Sequence, residues 1–78
     1  MARVSRFERQ NIHASRLHPT ETEFEWSAFE IDGLRYLQIS SSGSNERKKS
    51  GVTQTYQFDL NAVRQLVEAL RTAFPELR

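Results

Sequence analysis

Seventy-eight residues make a single domain, and at this length one core stabilises a fold only marginally unless a disulfide, a metal or a second chain adds to it. The sequence has no cysteine, which excludes disulfides and thiolate metal sites and makes a homodimer the expected source of extra stability. The net charge of +1 excludes a uniformly basic or acidic chain; no apolar run approaches the roughly eighteen residues of a membrane span, the first residues lack the apolar centre of a signal peptide, and a cytoplasmic protein is expected.

The charges are sorted along the chain. Residues 1–18 hold Arg3, Arg6, Arg9 and Arg16 against Glu8, a net +3, and read as a basic N-terminal arm. Residues 1–10 show no period and are expected to be loose, as termini are when nothing ties them down. Residues 11–17 form a candidate first strand, ended by Pro19 and followed by a turn over residues 20–22. His13 and His18 lack both cysteine neighbours and the i, i+4 spacing of a helical metal site, so structural or surface roles are expected. Residues 19–78 then carry the sheet and the helix.

From Glu23, Phe24, Trp26 and Ala28 alternate with Glu23, Glu25 and Ser27, the period of a strand with two unlike faces. Phe24 and Trp26 are expected in the core, and Phe29 and Ile31 on the opposite face. This stretch is acidic. Glu21, Glu23 and Glu25 suit a solvated face that also discourages pairing at a sheet edge. Asp32-Gly33 then predicts a two-residue hairpin turn. Residues 34–40 alternate again, with Leu37 and Ile39 pointing one way and Tyr36, Gln38 and Ser40 the other. Large apolar groups on the second face need a cover or a ligand, and burial in a dimer or under the arm would serve as well as a binding platform.

Residues 40–51, SSSGSNERKKSG, have no period and read as a loop between strands. Arg47, Lys48 and Lys49 could lay three cations along a phosphate backbone, although solvation alone would account for them. Residues 52–58 alternate as the last strand, with Tyr56 and Phe58 on the helix side. Asp59 is a good N-cap for a helix in which Leu60, Val63, Leu66, Val67, Leu70 and Phe74 form one apolar stripe, and Pro75 ends it. The expected core is Trp26, Leu37, Ile39, Tyr56, Phe58, Val63, Leu66 and Leu70. The expected fold is α+β: a four-stranded antiparallel meander followed by one C-terminal amphipathic helix.

The hairpin Asp32-Gly33 leading into Leu-Arg-Tyr36-Leu-Gln38-Ile, then a glycine-bearing basic loop, then Tyr56-Gln-Phe-Asp-Leu at the head of a helix with Val63, Leu66 and Leu70, resembles the single-stranded-DNA-binding domain of the positive-cofactor-four transcriptional coactivators. Whirly proteins share the general plan. The resemblance covers roughly residues 24–74 and lies in the order and spacing of elements. It implies a homodimer that binds single-stranded DNA, or RNA, without sequence preference, in transcription, replication or recombination. The residues it implies at the interface are Phe29, Ile31, Arg47, Lys48 and Lys49; Tyr36 and Gln38 share that open face, and Arg16 is added from the basic arm, none of whose residues aligns with the family. Where that family places basic residues on the hairpin and at the end of the central strand, this chain has Asp32, Leu34 and Ser40, which lowers the affinity expected.

Catalysis is not expected. The sequence lacks a glycine-rich phosphate loop, a cysteine nucleophile and carboxylates at hydrolase spacing, and neither a cofactor nor a small-molecule substrate is implied. A second class remains open, a protein-interaction module in which Phe29, Ile31 and Tyr36 bind a partner protein.

Overall fold

The computed structural model describes residues 1–13, 15–41 and 54–77. In chain order the elements are β1 (Ala2–Val4), β2 (Phe24–Ile31), β3 (Leu34–Ser41), β4 (Thr55–Phe58) and α1 (Leu60–Ala73). They form an α+β fold, a four-stranded sheet of order β1-β4-β3-β2 with one C-terminal helix. Arg47, Lys48, Lys49 and the start of the expected last strand lie outside the described residues.

The hairpin follows directly from its turn. Asp32 has φ 54° and Gly33 φ 81°, and a two-residue turn with both central φ positive matches the twist of the strands it joins. From it β2 and β3 pair antiparallel through eight residue pairs, Ile31 opposite Leu34 and Phe24 opposite Ser41. β3 pairs antiparallel with β4, Leu37 opposite Phe58 and Ser40 opposite Thr55.

The first strand differs from expectation in place and direction. Residues 11–17 form no strand where they are described; the strand lies instead at Ala2–Val4 and runs parallel to β4, so the sheet is mixed and not a simple meander. Three residues, Ala-Arg-Val, carry no readable period, and what recruits them is the otherwise unpaired edge of β4.

Nor is the arm loose beyond this strand. The Gln65 side chain of α1 holds it at two points: the Phe7 N–H donates to Gln65 Oε1 at 2.8 Å, and Gln65 Nε2 donates to the Ser5 carbonyl at 3.3 Å. Phe7 stacks on Phe58, with ring centroids 6.2 Å apart and planes at 21°.

Asp59 caps α1 as its carboxylate allows, Oδ1 accepting from the Ala62 N–H at 2.9 Å. At the other end the Phe74 N–H donates to the Leu70 carbonyl before Pro75. The helix packs on β3 and β4. Among the described residues Phe58, 7% exposed, and Ala62 form the buried apolar core, with Leu37, Ile39, Val63 and Leu66 only half-buried around it.

Three expected core residues are therefore corrected: Trp26 is 73% exposed, and Tyr56 and Leu70 are also exposed; so is Phe24, which was placed with them. Trp26 does share the helix side of the sheet, since it opposes Ile39, which opposes Tyr56. What the periodicity could not show is coverage. A helix about 10–12 Å across spans little more than two strands set about 4.8 Å apart, so one helix seated on β3 and β4 leaves the outer strand β2 bare.

Candidate nucleic-acid interface

The face opposite the helix is assembled from alternate residues of all four strands. β2 contributes Glu25, Ser27, Phe29 and Ile31; β3 contributes Leu34, Tyr36, Gln38 and Ser40; β4 contributes Thr55 and Gln57. Arg3 of β1 opposes Gln57 and joins them. The pairing across β2 and β3 brings Phe29 opposite Tyr36, and their rings stack with centroids 5.6 Å apart and planes at 22°. Both rings are half-buried by this contact. Ile31 and Leu34, which oppose each other nearer the turn, are exposed.

Beyond the aromatic pair the face is polar but almost neutral. Gln57 Nε2 donates to Gln38 Oε1 at 3.0 Å, and the Ser40 and Thr55 hydroxyls share a hydrogen bond at 3.0 Å. Each glutamine then keeps one group without a partner in the described chain, a donor at Gln38 Nε2 and an acceptor at Gln57 Oε1. An aromatic surface beside unpaired amide groups can receive a flat, hydrogen-bonding ligand such as a nucleobase.

Phe29, Ile31, Tyr36 and Gln38 are thus brought together as expected. Arg16 is not: it is exposed in the irregular stretch between β1 and β2 and belongs to neither face of the sheet. Arg47, Lys48 and Lys49 lie outside the described residues, whose flanks can still be placed. The Ser41 N–H donates to the Gln54 carbonyl at 2.9 Å, so the chain leaves and re-enters the sheet at its Ser40/Thr55 end. Five residues of strand separate Tyr36 from Ser41, about 17 Å at the usual rise, so the aromatic pair and the root of the basic loop stand at opposite ends of β3.

The alternation of the last strand puts Thr55 and Gln57 on the open side, where the pairing has them. Sequence reasoning did not single out Ser27 and Leu34, which the same alternation supplies, and it missed Arg3. Arg3 had no signal, because its place depends on the parallel pairing of a three-residue strand. The formal charges on the face are Arg3 and Glu25, so the sheet by itself offers a phosphate backbone little attraction.

At the hairpin end of the sheet a cleft of about 710 Å³ opens beside the start of α1, lined by residues of both faces, among them Leu34, Tyr36, Leu37, Phe58, Leu60 and Val63. Its lining is chiefly apolar, and the nearby Asp59 carboxylate is occupied in capping the helix. Among the described residues no three His, Asp or Glu side chains come together as metal ligands, and no helix is long and apolar enough to cross a membrane. Comparison with known proteins yields no matching family model, no matching curated protein and no matching solved structure.

Proposed function

We propose that this chain is a non-catalytic, sequence-nonspecific binder of single-stranded nucleic acid that acts as a homodimer in the cytoplasm, in the manner of the coactivator domains its sequence resembles. The observation that carries the reading is the Phe29–Tyr36 pair standing beside the unpaired amide groups of Gln38 and Gln57 on an otherwise neutral face. Bases stack on such a pair, for about 1–3 kcal/mol each, while the amides meet base edges and cations from Arg3 and from Arg47, Lys48 and Lys49 hold the backbone. Because the sheet carries little charge, affinity depends on residues that flank it. A fluorescence-anisotropy titration with single-stranded and duplex oligonucleotides at two salt concentrations tests the reading. Tighter binding of the single strand, weakened by salt, is expected; no binding at low salt would remove it.

A second reading is favoured by a specific observation. Ile31 and Leu34, 54% and 62% exposed, lie beside the aromatic pair and extend it into an apolar patch that a partner protein could cover. Such a module would bind its partner with little salt dependence and leave oligonucleotides free.

A further inference from the structure

β2 is the least satisfied element of the molecule. Among the described residues it is an outer strand of eight residues, FEWSAFEI, bound along one edge to β3 and open along the other. An edge of that length with apolar side chains is a template for a further strand. Beside the open edge, on the helix side, Trp26 and Phe24 are 73% and 67% exposed. The whole chain exposes 7569 Å² of surface, where size scaling gives a compact monomer of 9.1 kDa about 4900 Å². Irregular chain such as the stretch between β1 and β2 contributes to that excess, and the bare side chains of β2 are apolar surface that a second chain would remove from water.

We propose that two copies join antiparallel along β2, about a two-fold axis that passes between the two Trp26 residues, so that two four-stranded sheets become one sheet of eight. The inference rests on the homodimer part of the reading above and is independent of nucleic-acid binding. Side-chain chemistry selects the register. Directly opposed residues of an antiparallel pair share a face, so the allowed registers differ by steps of two.

With Trp26 opposite its own copy, Phe24 opposes Ala28 and Glu25 opposes Ser27, large against small and carboxylate against hydroxyl. One step in one direction sets Glu25 against Glu25, a direct like-charge pair. One step in the other sets Phe24 against Glu30 and Glu25 against Phe29. A further step in that direction sets Trp26 against Glu30 and Glu25 against Ile31. A register that sets Phe29 against its own copy, with Ala28 against Glu30, avoids both faults too, but it leaves Phe24 and Trp26 unpaired, so the Trp26 register is the one that avoids both and covers the bare rings.

The geometry accounts for the bare side chains as well. Each α1 sits over β3 and β4, so the two helices flank a seam made of the paired β2 strands, and two indoles and two phenyl rings fill it. On the opposite face the two aromatic pairs become parts of one continuous surface.

The sequence supplies clean probes, since it has no cysteine and Trp26 is its one tryptophan. Single-cysteine variants Glu25→Cys, Trp26→Cys, Ser27→Cys and Ala28→Cys are oxidised mildly in the full chain. Only Trp26→Cys should cross-link to itself, because at the other positions the two copies stand at diagonal distance or beyond, too far for a disulfide. A mixture of Phe24→Cys and Ala28→Cys chains, each of which retains Trp26, should cross-link where neither does alone. In the wild type, Trp26 emission should shift to the blue as light scattering passes from monomer to dimer mass. Trp26→Glu should give a monomer that keeps its circular dichroism and a cooperative thermal transition.

Self-cross-linking at Ser27 or Ala28, a silent Phe24→Cys and Ala28→Cys mixture, or a dimer whose Trp26 emission stays solvent-like would overturn this mode of assembly while leaving the dimer. A monomer at all concentrations would remove both.

Discussion

Phe58 is enclosed from three directions, by Phe7 stacked on it, by Leu37 opposite it in β3 and by α1, which begins two residues later and buries Ala62. Phe58→Ala should therefore cost about 3–5 kcal/mol, the range of large-to-small changes at buried aromatics, read as a fall in the urea midpoint at unchanged slope. Leu66 lies on the same stripe but is only half-buried, and Leu66→Ala should cost nearer 2 kcal/mol, the lower end of its class. Gln65 acts on a different quantity. Its two hydrogen bonds hold residues 5–7 against the helix, both are exposed, and each contributes at most about 1 kcal/mol net. Gln65→Ala should leave the global transition nearly unchanged while cleavage by trypsin after Arg6 and Arg9 becomes faster, because local opening of the arm and global unfolding are separate equilibria. A large global loss with no change in the cleavage rate would mean that the arm is held by β1 and Phe7 alone.

Among the elements, the hairpin and the helix were legible because each announces its ends chemically. Gly33 sits at φ 81° with nothing within 4 Å of where a Cβ would be, so Gly33→Ala meets no clash and its cost is conformational alone, about 1–2 kcal/mol. Asp59→Ala should cost about 1 kcal/mol through the lost cap, with its loss visible as reduced helical ellipticity near the N-terminus of α1 on heating. If Gly33→Ala proves neutral by thermal denaturation, the turn has changed type and the register below it must be re-examined by amide exchange. Alternation also placed Leu37, Ile39 and Phe58 on the helix side and Phe29, Tyr36 and Gln38 on the other, as the pairing has them. It failed at β1 and at Trp26 for distinct physical reasons. Three residues are too few to show a period, and the parallel partner of β1 lies more than fifty residues away, where no local signal reaches. Trp26 has the right face but the wrong neighbour, since a period reports direction and not whether a helix of limited width extends that far.

At the scale of the whole molecule the chain separates the two contributions that a single-strand binder needs. The aromatic and amide groups stand on the sheet face, whose formal charges are Arg3 and Glu25, and on the proposed reading this makes the stacking and phosphate contributions measurable apart. Replacing Arg47, Lys48 and Lys49 together by alanine should weaken binding to all sequences alike, because phosphate contacts position a strand without reading its bases. Each lost contact removes about 0.7 from the logarithmic salt slope for a single strand, so the triple variant should flatten it by about two, and Arg3→Ala by about 0.7. Phe29→Ala should instead lower affinity by roughly 1–3 kcal/mol at every salt concentration and leave the slope intact, since stacking is weakly screened. Phe29 supports Tyr36 by stacking on it, so Phe29→Ala and Tyr36→Ala combined should cost less than the sum of the two, whereas Phe29→Ala combined with the triple loop variant should be additive, the aromatic pair and the root of the loop lying at opposite ends of β3. Additivity in the first combination with coupling in the second, measured in one anisotropy series, would mean that the strand does not cross the sheet from its Ser40/Thr55 end to the hairpin, whereas an unchanged affinity for Phe29→Ala would mean that Phe29 meets a protein instead.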